Sequence, residues 1–113
     1  MLKNRHRLKN DDEFNRVYRR GRKYQTKELT MYWLWNKTVP ATRFGIVVSR
    51  QISKLATTRN LLRRRLAVAL GGAFAKALFQ GLDIVVVAKK DIQRLNYQQI
   101  KEQIEDLGRF IKK

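Results

Sequence analysis

Apolar residues recur near the start of the chain with the spacing of an amphipathic helix. Between residues 10 and 21, three apolar side chains fall on one helical face, namely Phe14, Val17 and Tyr18. Asn10 and Glu13 have the spacing of a capping box, and Gly21 favours a stop. The pattern predicts a first helix over residues 10–21.

Two runs of aromatic and β-branched residues follow, and their composition predicts β-strands. The first run is 29–35 and the second is 44–49. The segment between them contains the only proline, Pro40, which is typical of a turn. We therefore predict that these two strands form a hairpin. A shorter strand around residues 24–26 is also compatible with the pattern.

The second half of the chain returns to helical spacing after a loop over residues 51–58. A long helix should begin near Thr58 or Arg59 and could extend to Phe79, with Gly71 and Gly72 weakening it or ending it early. Its apolar face consists of Leu62, Leu66, Ala69, Leu70 and Ala73.

A short apolar run and one more helix complete the pattern. Residues 83–88 are apolar on both faces, which favours a central strand. Asn96 should cap a last helix whose core face is Ile100, Ile104, Leu107 and Ile111. The order of elements predicts an α+β fold, a two-layer arrangement with one sheet and helices packed against it. We expect one domain over residues 1–113, with residues 1–9 forming a basic, flexible arm.

Charge changes this picture most, because the chain carries a formal net charge of +17. No Asp or Glu occurs from Leu29 to Leu82, although that stretch holds nine Lys or Arg residues. An ordinary surface mixes both signs, so a one-sign stretch of this length indicates a polyanionic partner.

The long helix carries the densest group of cations. At 100° per residue, Arg59, Asn60, Arg63 and Arg64 cover one flank beside the apolar face, and Arg65 falls on the other flank. Guanidinium groups contact phosphates in bidentate fashion, so this helix is a candidate phosphate-binding surface. A merely solvated charged face would normally include acids.

Aromatic residues supply a second candidate surface. Tyr32 should point to the opposite side of its strand from Trp33 and Trp35. Most of these rings could equally pack in the core. If Tyr32 shares a groove with the aromatic face of the first helix, the groove offers stacking surfaces for unpaired bases. The groove would then consist of Phe14, Tyr18 and Tyr32, flanked by Arg16 and Arg50.

Few residues of the chain are candidates for catalysis. The chain has no cysteine, one histidine (His6, expected to be solvated or close to phosphate) and no glycine-rich phosphate loop. The opening residues lack the apolar region of a signal peptide, and no run is long enough to span a membrane, so we expect a cytoplasmic protein. A structural RNA-binding protein, a DNA-packaging protein and a nuclease active on its own remain alternatives.

Five segments in order closely resemble the protein component of bacterial ribonuclease P over nearly the whole chain. They are a basic start (2–8), a first-helix pattern (12–18, then Gly21), a strand pattern (43–50), an Arg-rich signature (56–64) and a last strand (81–89). The signature is similar to the family's A-V-x-R-N-R-x-K-R, with three departures. Thr57 stands for Val, Leu61 stands for the second Arg, and Ala67-Val68 replaces an Arg-Glu pair.

The resemblance implies an α-β-β-β-α-β-α fold with an uncommon left-handed crossover. It implies a protein subunit that assembles with a catalytic RNA, and a holoenzyme that removes the 5′ leader of precursor tRNA. Mg²⁺ would be held by the RNA, with no catalytic or metal-binding residue in the protein and no obligate protein partner. Arg59, Asn60, Arg63 and Arg64 match the motif that contacts the catalytic RNA, and Arg65 could take over part of the role lost at Leu61. Phe14, Tyr18 and Tyr32 match the leader cleft.

Overall fold

A four-stranded sheet and three α-helices form the part of the chain that the computed structural model describes, which is residues 6–38, 41–75 and 81–111. A short 3₁₀ helix, Lys90–Arg94, precedes the last α-helix. In chain order the elements are α1 (Asp11–Arg20), β1 (Arg22–Gln25), β2 (Leu29–Trp35), β3 (Arg43–Val47), α2 (Ala56–Ala73), β4 (Leu82–Ala88) and α3 (Tyr97–Phe110). The predicted α+β class and order of elements are confirmed.

The strand order is β1-β2-β4-β3, which overturns the hairpin predicted between β2 and β3. Strand β4 lies between them, antiparallel to β2 and parallel to β3. The reason is burial: β4 is apolar on both faces, so it gains most from the centre of the sheet. The hairpin forms instead between β1 and β2.

Helix α2 connects the parallel pair β3 and β4, which makes this connection a crossover. The left hand that the resemblance implies for it stays a prediction. The helix begins at Ala56, earlier than expected, and continues through Gly71 and Gly72 before it ends at Ala73. Most of its predicted extension towards Phe79, residues 76–79, lies outside the described residues.

The two faces of the sheet are covered unequally. Helices α2 and α3 bury one face in the main core, which includes Met31, Trp33 and Leu66. Helix α1 packs on the other face, where Val17 and Val85 form a smaller buried cluster together with Leu8. Within the described parts of the chain, none of the helices has the length and apolar character needed to cross a lipid bilayer.

Residues 6–8, which precede α1, are held against the edge of the sheet. His6 is buried, and its Nδ1–H donates to the carbonyl oxygen of Thr42 at 2.7 Å. The expected solvated position of His6 is therefore wrong, and its expected closeness to phosphate stays a prediction. Leu8 is also buried and donates its backbone N–H to Phe44 at 2.9 Å, so residues 6–8 run beside the outer edge of β3. Asn10 then starts α1 with the predicted capping box.

A buried carboxylate fastens α1 to the sheet. Asp83 of β4 is completely buried and accepts hydrogen bonds from Arg43 Nε (3.0 Å) and Nη2 (2.9 Å). It also accepts from Arg16 Nη2 (3.3 Å) and Asn36 Nδ2 (3.2 Å). Arg43 reaches Glu13 of α1 as well. This ion-pair network joins α1, β3, β4 and the end of β2.

The network shifts the pKa values of two of its members. Hydrogen bonds to Asp83 raise the pKa of Arg43. The backbone N–H of Lys9, helped by Arg43, holds the pKa of Glu13 below its ordinary value of 4.5. Both groups are therefore charged at neutral pH.

We predict that Asp83→Asn destabilises the protein by roughly 3–5 kcal/mol, because it leaves the guanidinium of Arg43 without its buried counter-charge. The matched control is Asp106→Asn, which removes an exposed carboxylate paired with Arg109. Its effect should stay within about 1 kcal/mol. Urea unfolding measures both variants, and equal effects would contradict the network's role.

Glu13 should make stability depend on pH. Because its pKa is lowered in the folded state, its contribution is complete above pH 4.5 and disappears as pH falls through the folded pKa. Glu13→Gln, which preserves the capping box, should therefore be less stable than the parent at pH 7. The difference should shrink towards pH 3. A difference that stays constant over this range in urea unfolding would refute the assignment.

Candidate nucleic-acid interface

The predicted aromatic groove exists where α1 lies on β2. The rings of Tyr18 and Tyr32 meet edge to face, with centroids 4.9 Å apart and planes at 81°. Phe14 and Tyr32 are both half-buried against the smaller core cluster. Tyr18 keeps 37% of its surface exposed. The structure therefore brings the three predicted rings to one side of the sheet, and we call this surface the aromatic cleft.

A glycine in β3 gives Phe14 its place in the cleft. A Cβ atom added to Gly45 would lie 2.4 Å and 2.5 Å from two ring atoms of Phe14. Only a residue without a side chain lets this ring lie directly against the strand. Gly21 has a similar role at the other end of α1, where a Cβ would meet the carbonyl oxygens of Val17 and Trp33 at 2.4 Å and 2.7 Å.

The cleft combines ring faces with proton donors and positive charge. Burial, and to a smaller extent Tyr32, raises the pKa of Tyr18, so its hydroxyl group stays protonated and can donate a hydrogen bond at neutral pH. Lys23 places its ammonium group 5.8 Å from the centre of the Tyr32 ring. On such a surface, unpaired bases can stack on the rings while their phosphates contact the cations.

The two arginines expected beside the cleft differ from each other in their surroundings. Arg50 is exposed in the loop that follows β3. Arg16 turns one guanidinium nitrogen towards the buried Asp83, although 39% of its side chain is exposed. Arg16 therefore contributes to holding α1 on the sheet, and part of its hydrogen-bonding capacity is already used.

Arg59 and Arg63 of α2, which we predicted to contact RNA, hold the loop that precedes the helix. Arg59 donates from Nη1 to the carbonyl oxygens of Ser53 (2.9 Å) and Lys54 (3.0 Å). Arg63 donates from Nη2 to the carbonyl oxygen of Val48 at 3.2 Å and from Nη1 to Asn60 Oδ1 at 2.9 Å. Each guanidinium group has further N–H groups that remain available.

Arg64 is exposed and is unpaired within the described parts of the chain. Together with Arg63 it lines a cavity that Phe14 also lines. Arg65 is half-buried. The cationic flank of α2 and the aromatic cleft therefore meet at Phe14, so one continuous surface carries both.

The acidic residues are engaged in structural contacts or are dispersed. Asp83 and Glu13 belong to the ion-pair network. Among residues 6–38, 41–75 and 81–111, no three His, Asp or Glu side chains lie close enough to hold a metal ion together. The arrangement can bind a polyanion and stack bases.

Three contributing residues have little or no signal in the sequence. Asp83 belongs to a run that is otherwise apolar, and a charged residue in such a strand signals a buried partner. That partner, Arg43, gave no signal, because its 40-residue separation from Asp83 is bridged only by the fold. The position of Lys23 opposite Tyr32 depends on the register of β1 against β2, which the sequence does not reveal.

The family model that matches the chain is described as ribonuclease P and covers residues 2–112. A ribonuclease P protein component from Pseudanabaena sp. (strain PCC 6903) is 36% identical over 107 residues, covering 95% of this chain and 91% of the relative. The corresponding protein of Synechocystis sp. is 32% identical, covering 89% of this chain and 81% of the relative.

Solved structures agree with this likeness. The RNase P protein of Thermotoga maritima, in complex with 1-(4-fluorophenyl)-2-thiourea, superimposes with a TM-score of 0.79 at 25% identity, covering 94% of this chain and 100% of that one. The Staphylococcus aureus RNase P protein gives a TM-score of 0.73 at 26% identity, covering 89% and 90%. The chain therefore belongs to the ribonuclease P family, as a protein component of that ribonucleoprotein endonuclease.

Proposed function

We propose that this protein binds the catalytic RNA of ribonuclease P through α2 and the single-stranded 5′ leader of precursor tRNA through the aromatic cleft. The RNA then cleaves the leader to form the mature 5′ end of the tRNA. The observation that carries the proposal is the continuity of the two surfaces at Phe14, which lines the aromatic cleft and a cavity beside Arg63 and Arg64.

The cleft suits a single strand better than a duplex. Its rings lie on a sheet face that α1 covers only in part, and Tyr18 is open to solvent. Bases that are free of pairing can stack on such rings, whereas paired bases in an RNA helix present mainly their backbone. Mature tRNA has no leader, so cleft contacts favour the precursor over the product.

The cationic flank of α2 suits the phosphates of a folded RNA. Arg59 and Arg63 fix the loop before the helix, which orders the flank before any RNA binds. Arg64 stays exposed beside them. A preordered set of guanidinium groups loses less side-chain entropy on binding.

Catalysis in this proposal belongs to the RNA. Mg²⁺ would be held by RNA phosphates, and the protein's charge of +17 would lower the Mg²⁺ demand of the folded RNA by screening those phosphates. We place the assembly in the cytoplasm with the catalytic RNA and precursor tRNA as partners. Reconstitution with a bacterial catalytic RNA and precursor tRNA at low Mg²⁺ tests this function directly, and absence of any stimulation by the protein would overturn it.

Tyr18→Ala should weaken precursor binding by the holoenzyme about tenfold, since one base-stacking surface contributes roughly 1–3 kcal/mol. Binding of mature tRNA should not change. Tyr97→Ala is the matched control, because Tyr97 is equally exposed (36%) but lies on α3, across the sheet from the cleft. Fluorescence titration of both RNAs measures the effect, and equal weakening of precursor and mature tRNA would remove the cleft assignment.

Arg64→Ala should reduce affinity for the catalytic RNA and lower the slope of log affinity against log salt by about 0.7–0.9, the value for one phosphate contact. The fold should persist, because Arg64 is unpaired within the described residues. Arg109→Ala, on α3, removes another exposed arginine and serves as control. An unchanged salt slope in filter-binding measurements of Arg64→Ala would exclude this contact.

A further inference from the structure

A cavity of about 260 Å³ lies where α1, the outer edge of β3 and α2 come together. Its inner wall is apolar and includes Leu8, Phe14 and Phe44. Ala67 of α2 lines the same space. Small-molecule sites begin at roughly 300 Å³, so the cavity is suited to a single ring system the size of a base and not to a longer ligand.

The edge of β3 supplies hydrogen-bonding groups to this cavity. Residues 6–8 pair beside β3 at Phe44, but the backbone N–H groups of Lys9 and Asn10 turn away to Glu13 Oε1 (2.7 Å and 3.3 Å). Ile46, two residues beyond Phe44, directs its N–H and C=O to the same outer edge. Ile46 is one of the residues that line the cavity, so this edge of β3 can offer a main-chain donor and acceptor to a ligand there.

The rim of the cavity is positively charged. Among the residues that the structure describes, Arg7, Arg63 and Arg64 line it, and no carboxylate does. Glu13, which precedes Phe14 on α1, is paired with Arg43. An apolar pocket with a main-chain donor and acceptor and a cationic rim is complementary to a base attached to a phosphate.

We infer that this cavity binds one unstacked nucleotide of the catalytic RNA, which extends the proposed function and rests on it. The base enters beside Phe14 and Ala67, its edge exchanges hydrogen bonds with the N–H and C=O of Ile46, and its phosphates contact Arg64 and Arg7. Every RNA base presents a neighbouring donor and acceptor on its Watson–Crick edge, which is free in an unpaired base, so the site accepts different bases. The pocket thereby fixes the RNA at the point where α2 and the aromatic cleft meet.

Filling the pocket tests this inference in the holoenzyme. Ala67→Phe places a ring in the cavity and leaves every arginine in place, so affinity for the catalytic RNA should fall about tenfold. Val68→Phe is the matched control, because Val68 is the next residue of α2, is 50% exposed and does not line the cavity. Its effect should be less than twofold.

The outcomes separate this site from the proposed function. Unchanged assembly of Ala67→Phe would overturn the pocket while leaving the wider function standing. If Ala67→Phe abolishes the preference for precursor over mature tRNA while assembly stays intact, the cavity holds a nucleotide of the leader. That result would overturn the inference. Failure of the unaltered protein to assemble with the catalytic RNA would instead refute the proposed function itself.

Amide NMR of the free protein provides a test without the catalytic RNA. Adenosine 5′-monophosphate should shift the amide resonance of Ile46, whereas ribose 5-phosphate and inorganic phosphate should not. Ala67→Phe should retain a folded spectrum and lose the shift. Equal shifts with all three probes would reduce the site to an anion site, and a larger shift with an acidic tetrapeptide would assign the edge to protein partners. Either result would overturn the inference.

Discussion

The arrangement of the described structure depends on the buried carboxylate of Asp83. A charge without access to water is tolerated only when it is paired, and here the donors come from Arg43, Arg16 and Asn36. These residues belong to three separate parts of the chain. Placing β4 at the centre of the sheet therefore requires α1, β3 and the end of β2 to assemble around it.

This constraint also shapes the RNA-facing side. Helix α1 is fixed over one part of the sheet, which leaves the rings of Tyr18 and Tyr32 in contact with each other and accessible. The same ion pairs withdraw Asp83 and Glu13 from the surface. These two carboxylates are therefore neutralised by their ion pairs and weaken the positive field of the surface less than free carboxylates would.

The departures from the family signature fall on different sides of α2. Leu61 and Val68 are 41% and 50% exposed, and at 100° per residue they lie on the flank opposite Arg63. Arg65 lies one turn after Leu61 on that same flank, a position from which it can supply a cation in place of the missing arginine. Ala67 instead lines the cavity beside Arg64, where a small side chain leaves room for a ligand.

The sequence by itself determined the local structure and the chemistry. Capping residues Asn10 and Asn96 set the starts of α1 and α3 because their partners lie only three residues away. The apolar run of residues 83–88 predicted a central strand, and β4 (Leu82–Ala88) lies inside the sheet. The +17 charge and the ordered segments indicated an RNA-binding member of this family, and the model match over residues 2–112 confirms the family.

Only the tertiary structure decided which elements meet. The sequence favoured pairing β2 with β3, because neighbouring strands commonly form hairpins, but burial of β4 separates them. Likewise, no local pattern connects Arg43 to Asp83, or Phe14 to Gly45 and Arg64. Local periodicity encodes which face of an element is buried, whereas the choice of partner depends on free energy gained across the whole core.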